Sequence, residues 1–404
     1  MTRDKAGNAY ESCSIEHGYA PATVLAIGTA NPSSAIVPSD EFADQVFRVT
    51  KSEHRLTDLK EKLNRICHKT GIEKRHFQLT EEILRAHPEF LDSTLPSLDA
   101  RMDTVETEVP KLATSAAVKA ITEWGRPATD ITHLVFSTYS ACRAPSADLH
   151  LASLLGLRHS VCRTILSLHG CYGGGRALHI AKDIAENNHG ARVLVACSET
   201  TLPCFSMPGG CNLVGDALFG DGAGVMIVGA SPFTISERSL FEMVSATQRT
   251  MPGTEHALGM QVTGRGIDFH VGVQVPKLLG DNVERCLLDA LALAFGNDDH
   301  DGNNVTWNDL FWAVHPGGRP ILDKIETVLK LEPDKLAASR HVLREYGNMS
   351  GATIVFVLDE LRRRREEEAD HDHQLQEWGA MLAFGPGITV ETMVLHGPRN
   401  PKAN

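Results

Sequence analysis

Short apolar runs bounded by glycine, proline and polar turn residues alternate along this chain with longer stretches in which apolar positions recur every three or four residues. The runs predict buried strands and the stretches amphipathic helices. Strands are expected at 22–28 (ATVLAIG), 131–140 (ITHLVFSTYS), 192–199 (RVLVACSE), 223–229 (AGVMIVG), 240–251, 266–273 (GIDFHVGV) and 310–315 (LFWAVH). Two more flank the turn at 384–387 (FGPG). Helices are expected twice within 40–69, through most of 96–125, and at 147–157, 176–188, 275–295, 320–329 and 352–365. Residues 1–20 read as a flexible or docked arm. Apolar strands alternating with helices predict an α/β layered core.

The pattern loosens around 230–238 (ASPFTISER), which divides the chain into a first half, 1–240, and a second, 241–404. At 404 residues each half is long enough to bury a core of its own. The halves share a rhythm of glycine-rich turn, apolar run, helix, and strand ending on a reactive side chain, as in a duplicated unit.

Composition narrows the class more than the chemistry. A net charge of −12 leaves no basic footprint for DNA or RNA. The run Arg362–Arg365 is followed directly by three glutamates and reads as a solvated helix end. Nine cysteines, an odd number without a C-x-x-C pair, argue against a disulfide framework or a cysteine zinc site. The N-terminus has no apolar signal core, and no run approaches the ~20 residues of a membrane span. The expectation is a soluble cytoplasmic protein, a location that includes the outer surface of the endoplasmic reticulum.

Three turns carry candidate chemistry. In TILSLHGCYGGG (164–175) an apolar run ends at His169-Gly170, Cys171 follows, and three glycines open a helical segment. A cysteine at a helix N-terminus is placed where backbone N–H groups and the helix dipole favour its nucleophilic thiolate. A buried structural cysteine beside a packing turn fits the same letters. His315 closes a strand before Pro316-Gly317-Gly318, and Asn348 stands in GNMSG (347–351) just before a helix. A nucleophilic cysteine needs a base and a donor for a developing oxyanion, and histidine and asparagine supply those roles. Individually they also suit a core histidine and a turn asparagine. Lys60, Lys62, Arg65 and Lys69 form a local basic cluster, either a solvated helix face or a seat for a phosphorylated ligand.

HGCYGGGRAL, WAVHPGG, YGNMSGAT and AFGPG, with LTDLKEKLNRIC, PSLDARMD and ALFGDGAG, resemble the plant type III polyketide synthases, the chalcone and stilbene synthase family, from about residue 20 to 398. The resemblance implies a thiolase-like αβαβα fold of two related halves working as a homodimer, with no cofactor beyond CoA thioester substrates. Cys171 then matches the acyl-accepting nucleophile, and His315 and Asn348 match the pair that binds malonyl-CoA and stabilises its decarboxylated enolate. Phe219 and Phe269 match two phenylalanines at the cavity mouth, Ser350 a small cavity residue, and Lys62, Arg65 and Lys69 the basic positions of the CoA tunnel. A β-ketoacyl carrier-protein synthase or thiolase, and a non-catalytic partner subunit, are the competing classes.

Several pocket positions depart from the chalcone-forming pattern. Tyr139 and Ala141 replace a threonine and a glycine, Ala144 a methionine reaching the partner's pocket, Cys204 a threonine and Met260 a glycine. Tyr139 and Met260 fill an aromatic-sized cavity, whereas Ala144 removes bulk. FSTYSACRAPSADLHLASLLGLR and HALGMQ are similar to grass alkylresorcinol synthases, which extend fatty acyl-CoA starters with malonyl units and close the ring by aldol condensation. A buried alkyl chain gains ~0.8 kcal/mol per methylene, so a long channel selects long starters. The alternative is an aromatic, cinnamoyl-type starter giving pyrones, chalcone-like products or curcuminoids. Tyr172, beside the nucleophile, and Ala141 are expected to trim the pocket.

Overall fold

The computed structural model describes residues 21–52, 56–92, 94–206, 213–231, 234–235, 237–296, 306–370 and 375–398. The arm expected at 1–20 lies outside the described residues. In the first half the strands are β1 (Thr23–Ala30), β2 (Ala35–Pro38), β3 (Lys74–Phe77), β4 (His133–Thr138), β5 (Cys162–Ser167), β6 (Arg192–Glu199) and β7 (Gly222–Gly229). The helices there are α1 (Ser39–Val49), α2 (Thr57–Thr70), α3 (Glu81–Ala86), α4 (Leu98–Trp124), α5 (Ala147–Leu154), α6 (Gly173–Asn187) and α7 (Leu213–Leu218). The second half adds strands β8 (Phe241–Thr250), β9 (Leu258–Thr263), β10 (Gly266–Val271), β11 (Phe311–Val314), β12 (Trp378–Gly385) and β13 (Thr389–His396). Its helices are α8 (Val275–Phe295), α9 (Arg319–Leu329), α10 (Ala337–Tyr346) and α11 (Thr353–Asp370).

Strand side chains alternate between two cores, and that alternation builds the layers. On β6, Val193 and Val195 face a central core shared with Leu178 of α6 and Val355 of α11, while Leu194 and Ala196 face α4. On the other side Trp312, Val314, Ala380 and Leu382 pack against α8 and α9. Helices α6 and α11 therefore lie between two half-sheets, with α4 outside one and α8 outside the other, giving the order α-β-α-β-α. The half-sheets join into one nine-stranded sheet, β11-β12-β13-β8-β1-β7-β6-β4-β5, through a short pairing of Thr23 and Val24 with Glu242 and Phe241. The link between halves is pinned by Glu237, whose fully buried carboxylate accepts from Arg192, Arg126 and the Trp124 indole.

The long periodic segments form where the pattern expects them. The elements without a sequence signal are short: β2, β3, α3, α7 and β9, together with α10. The four-arginine run also differs from expectation. Arg365 is buried over the ring of Phe311 and donates to the Gln376 and Pro398 carbonyls, and Arg362 pairs with Asp359 and Glu123. Only part of that helix face is solvated, because α11 passes through the centre of the molecule. No described helix is long and apolar enough to cross a membrane.

Candidate active site

Cys171 sits where the chain turns from β5 into α6. Leu168 and Gly170 both adopt φ of 62°, a left-handed conformation uncommon for leucine, and the reversal ends in a single 3₁₀ turn, Gly170–Tyr172. Packing explains the glycines that follow. A Cβ at Gly173 would lie 2.3 Å from Ser137 Oγ, and one at Gly174 would lie 2.1 Å from the Gly351 carbonyl oxygen. Only bare backbone lets the start of α6 press against both β4 and the turn before α11.

That second turn carries Asn348 and Ser350. The Asn348 backbone bridges to Phe219, its N–H donating to the Leu218 carbonyl at 2.9 Å and its carbonyl accepting from Gly220 N–H at 3.0 Å. Its side-chain oxygen accepts the Ser350 backbone N–H at 2.8 Å, and both amide atoms lie 3.8 Å from Cys171 Sγ, the oxygen placed to accept from the thiol and the nitrogen also facing the Gly317 carbonyl 3.4 Å away. Gly317 lies two residues beyond His315, whose buried ring stands edge-on to Phe384 with centroids 5.2 Å apart. Neither ring nitrogen of His315 has a hydrogen-bond partner among the described residues. Burial lowers its pKa to about 3, so the imidazole is neutral at physiological pH. Leaving buried polar atoms unpaired costs about 1–3 kcal/mol each, a cost that a bound polar ligand would relieve.

Cys171 is partly exposed as a residue, yet its thiol is enclosed. Desolvation pushes the thiol up to about 11, against hydrogen bonds from Ser350 and Asn348 that pull it down. The ligand-free protein therefore holds a protonated thiol and a neutral imidazole, not the thiolate that the helix N-terminus alone would suggest. Burial outweighs the dipole here.

Two ionisable residues that the sequence did not single out shape the site. Glu199, last in β6, is buried: one oxygen accepts from Tyr139 N–H, Ser140 Oγ and Thr138 Oγ1, and the other has no partner among the described residues. Burial raises its pKa to about 8. The legible signal was an acid ending an otherwise apolar strand. Arg75, fully buried, donates to the Asp216 and Phe219 carbonyls at 2.6 and 2.9 Å and lies 4.0 Å over the Phe42 ring, fixing the bend that carries Phe219.

Around Cys171 the structure gathers Tyr139, Phe219, Phe269, Met260, Ser350, Leu258 and Pro386 about a chamber of only about 30 Å³. The Tyr139 hydroxyl donates to the Thr200 carbonyl at 3.1 Å. Phe219 and Phe269 meet edge to face, centroids 4.8 Å apart, and share their other sides with a second cavity of about 330 Å³. Cys204 lines that second cavity, its thiol kept protonated by burial, rather than the chamber of Cys171.

Three expected pocket positions lie away from both of these cavities. Tyr172 lines neither cavity: its ring occupies room left by Gly385 and faces His169, because α6 turns it away from the cysteine. Ala141 lines a separate small cavity with Met102 and Arg143. Ala144 is exposed on the turn to Pro145 and lines no cavity described in this chain. Lys62, Arg65 and Lys69 form an exposed stripe on α2, with no ion pair among the described residues, while Lys60 pairs with Asp44 at 2.7 Å. Helix α2 packs on α7, the helix leading into Phe219, so the stripe lies one layer from the ring pair.

The chalcone and stilbene synthase N-terminal domain matches residues 11–232, and the corresponding C-terminal domain matches 242–398. Bisdemethoxycurcumin synthase of Oryza sativa subsp. japonica is 55% identical over 378 residues, 93% of this chain and 92% of that protein. With both domains present in order on a layered α/β fold of thiolase type, this chain belongs to the chalcone and stilbene synthase family, the plant type III polyketide synthases.

Proposed function

We propose that the protein condenses an aromatic, cinnamoyl-type CoA starter with malonyl-CoA on Cys171, giving products of the pyrone, chalcone-like or curcuminoid kind. The observation that carries the chemistry is the meeting of the enclosed Cys171 thiol with the Asn348 amide, which also faces the Gly317 carbonyl two residues beyond a buried imidazole whose nitrogens have no partner among the described residues. Sulfur attacks the starter carbonyl as the thiol proton is relayed through His315 to the departing sulfur, so CoA leaves as its thiol and the imidazole returns to neutral. The malonyl thioester oxygen then accepts from Asn348 and from His315. Loss of carbon dioxide places negative charge on that oxygen, where two N–H donors stabilise the enolate and a carboxylate would oppose it. The enolate carbon attacks the acyl–cysteine, and the lengthened chain passes back to sulfur. The Lys62, Arg65 and Lys69 stripe supports a seat for the CoA phosphates.

The aromatic starter is favoured by the relative named for bisdemethoxycurcumin and by the ring-lined walls of Phe219, Phe269 and Tyr139. The 330 Å³ apolar cavity favours a second reading, a fatty starter giving 5-alkylresorcinols. A panel of p-coumaroyl-CoA and medium- and long-chain acyl-CoAs with malonyl-CoA, read by product mass, is expected to show p-coumaroyl-CoA preferred by roughly tenfold in kcat/KM, a gap of about 1.4 kcal/mol. Preference for long alkyl starters would replace this reading with the second.

A homodimer is part of the same proposal. Strand β5 is an edge of the sheet with exposed side chains, and Leu149, Leu154 and Leu168 stand exposed beside it, an arrangement that invites pairing with a second copy. The mass in solution is expected to be twice 44.0 kDa, and a monomer at micromolar concentration would remove the proposal.

A further inference from the structure

Much of the wall facing Cys171 comes from one hairpin. Leu258, Gly259 and Met260 on β9, with Phe269 and Val271 on β10, line the chamber. These two strands form a sheet of their own, outside the nine-stranded one. A two-stranded hairpin is marginal by itself, so its position depends on what grips its ends. At the base, Gly387 N–H donates to the Leu258 carbonyl at 3.1 Å. At the tip, the N–H groups of Ser97 and Leu98 donate to the Gly264 carbonyl at 2.9 and 3.1 Å. Ser97 Oγ adds a bond to the Arg265 carbonyl at 2.8 Å.

Ser97 is held in turn by Arg101, one turn further along α4. The Arg101 guanidinium is buried and uses all three nitrogens. Nε donates to Ser97 Oγ at 2.9 Å, Nη1 to the Leu202 carbonyl at 2.6 Å and Nη2 to the Phe90 carbonyl at 3.4 Å. Leu202 opens the 3₁₀ turn that carries Cys204. A Cβ at Gly266 would lie 2.2 Å from the Pro203 carbonyl oxygen and 3.2 Å from Arg101 Cδ, so hairpin tip, turn and guanidinium are packed together without slack. Burying a guanidinium among neutral acceptors is costly, so its contribution is register between these segments more than stability.

We propose that Arg101, acting through Ser97, is a positioning residue that sets how close Met260 stands to the sulfur, and thereby how many malonyl units are added before release. This rests on the reading that Cys171 carries the growing chain. Neither Ser97 nor Arg101 lines the chamber or the larger cavity, so both act from outside the reacting space. The chamber of about 30 Å³ has room for a water or two, and a hairpin displaced by less than a bond length changes that room by a large share.

The test uses the full chain with p-coumaroyl-CoA and malonyl-CoA, and reads the ratio of multiply to singly extended products by mass. Ser97→Ala removes the hydroxyl link but keeps both backbone donors at the tip, so the variant should fold. It is expected to shift the ratio roughly threefold, the worth of one hydrogen bond. Arg101→Lys, which keeps the charge and loses the fork, should shift it further. The shift should vanish in a Met260→Ala background, a coupling that a merely structural role would not produce. Carbon dioxide release from malonyl-CoA should change by less than about twofold, because the hairpin is not the enolate site. Amide hydrogen exchange over 258–271 should quicken in Ser97→Ala whichever starter is used. An unchanged ratio in Ser97→Ala, a shift of equal size without Met260, or unchanged hairpin exchange would overturn the proposal. Wild type active only with dodecanoyl-CoA would overturn the aromatic reading alone, and the same ratio is then read with that starter.

Discussion

Cys171→Ala is expected to lose condensation by at least about 10³-fold, since the proposed mechanism carries the acyl chain on this sulfur between extensions. Malonyl-CoA decarboxylation, which the proposed mechanism assigns to His315 and Asn348, should remain measurable in the same variant. Release of carbon dioxide without polyketide product is the signature to look for, read by labelled malonyl-CoA alongside product mass. The methyl side chain is smaller than the thiol and keeps the buried turn intact, so the variant should fold. A Cys171→Ala protein forming product at a rate near wild type would remove Cys171 from the reaction. The wild-type enzyme adds a pH test with a defined sign. Burial holds the thiol at about 11, above its ordinary value of 9, so the reactive thiolate grows with pH throughout the physiological range. Starter loading measured in single turnover should therefore accelerate as pH rises. A loading rate that falls between pH 7 and 9 would contradict this.

Asn348→Asp is expected to lower both condensation and decarboxylation by about 10²- to 10³-fold, the usual worth of one oxyanion donor. The substitution keeps the acceptor for the Ser350 N–H at 2.8 Å, so the turn survives. What changes is the group 3.8 Å from sulfur, where a donor amide becomes an oxygen that repels both the enolate and the thiolate. The effect should deepen as pH rises and the new carboxyl ionises. This distinguishes it from Cys171→Ala, which spares decarboxylation. Unchanged carbon dioxide release in Asn348→Asp would dissociate the amide from the enolate step.

Much of the fold was legible in the chain because strong periodicity and burial point the same way. The strand RVLVACSE is β6 residue for residue, and the 275–295 pattern is α8. The turns bearing Cys171, His315 and Asn348 were legible for a similar reason. Close packing demands glycine where α6 meets the Gly351 turn, and glycine clusters are visible in a sequence. The short β2, β3 and α7 left no such trace, since their few residues take their conformation from the partners they touch.

What the sequence by itself determined was the α/β layering and which residues carry reactive groups. The tertiary structure alone decided which way those groups face and how they are charged. Tyr172 is adjacent to Cys171 in the chain but is turned from the chamber by the start of α6, whereas Met260, far away in sequence, closes it. The thiol near 11, the imidazole near 3 and the Glu199 carboxyl near 8 are all consequences of burial. Desolvation is a property of everything packed around a group, which no local pattern of letters contains.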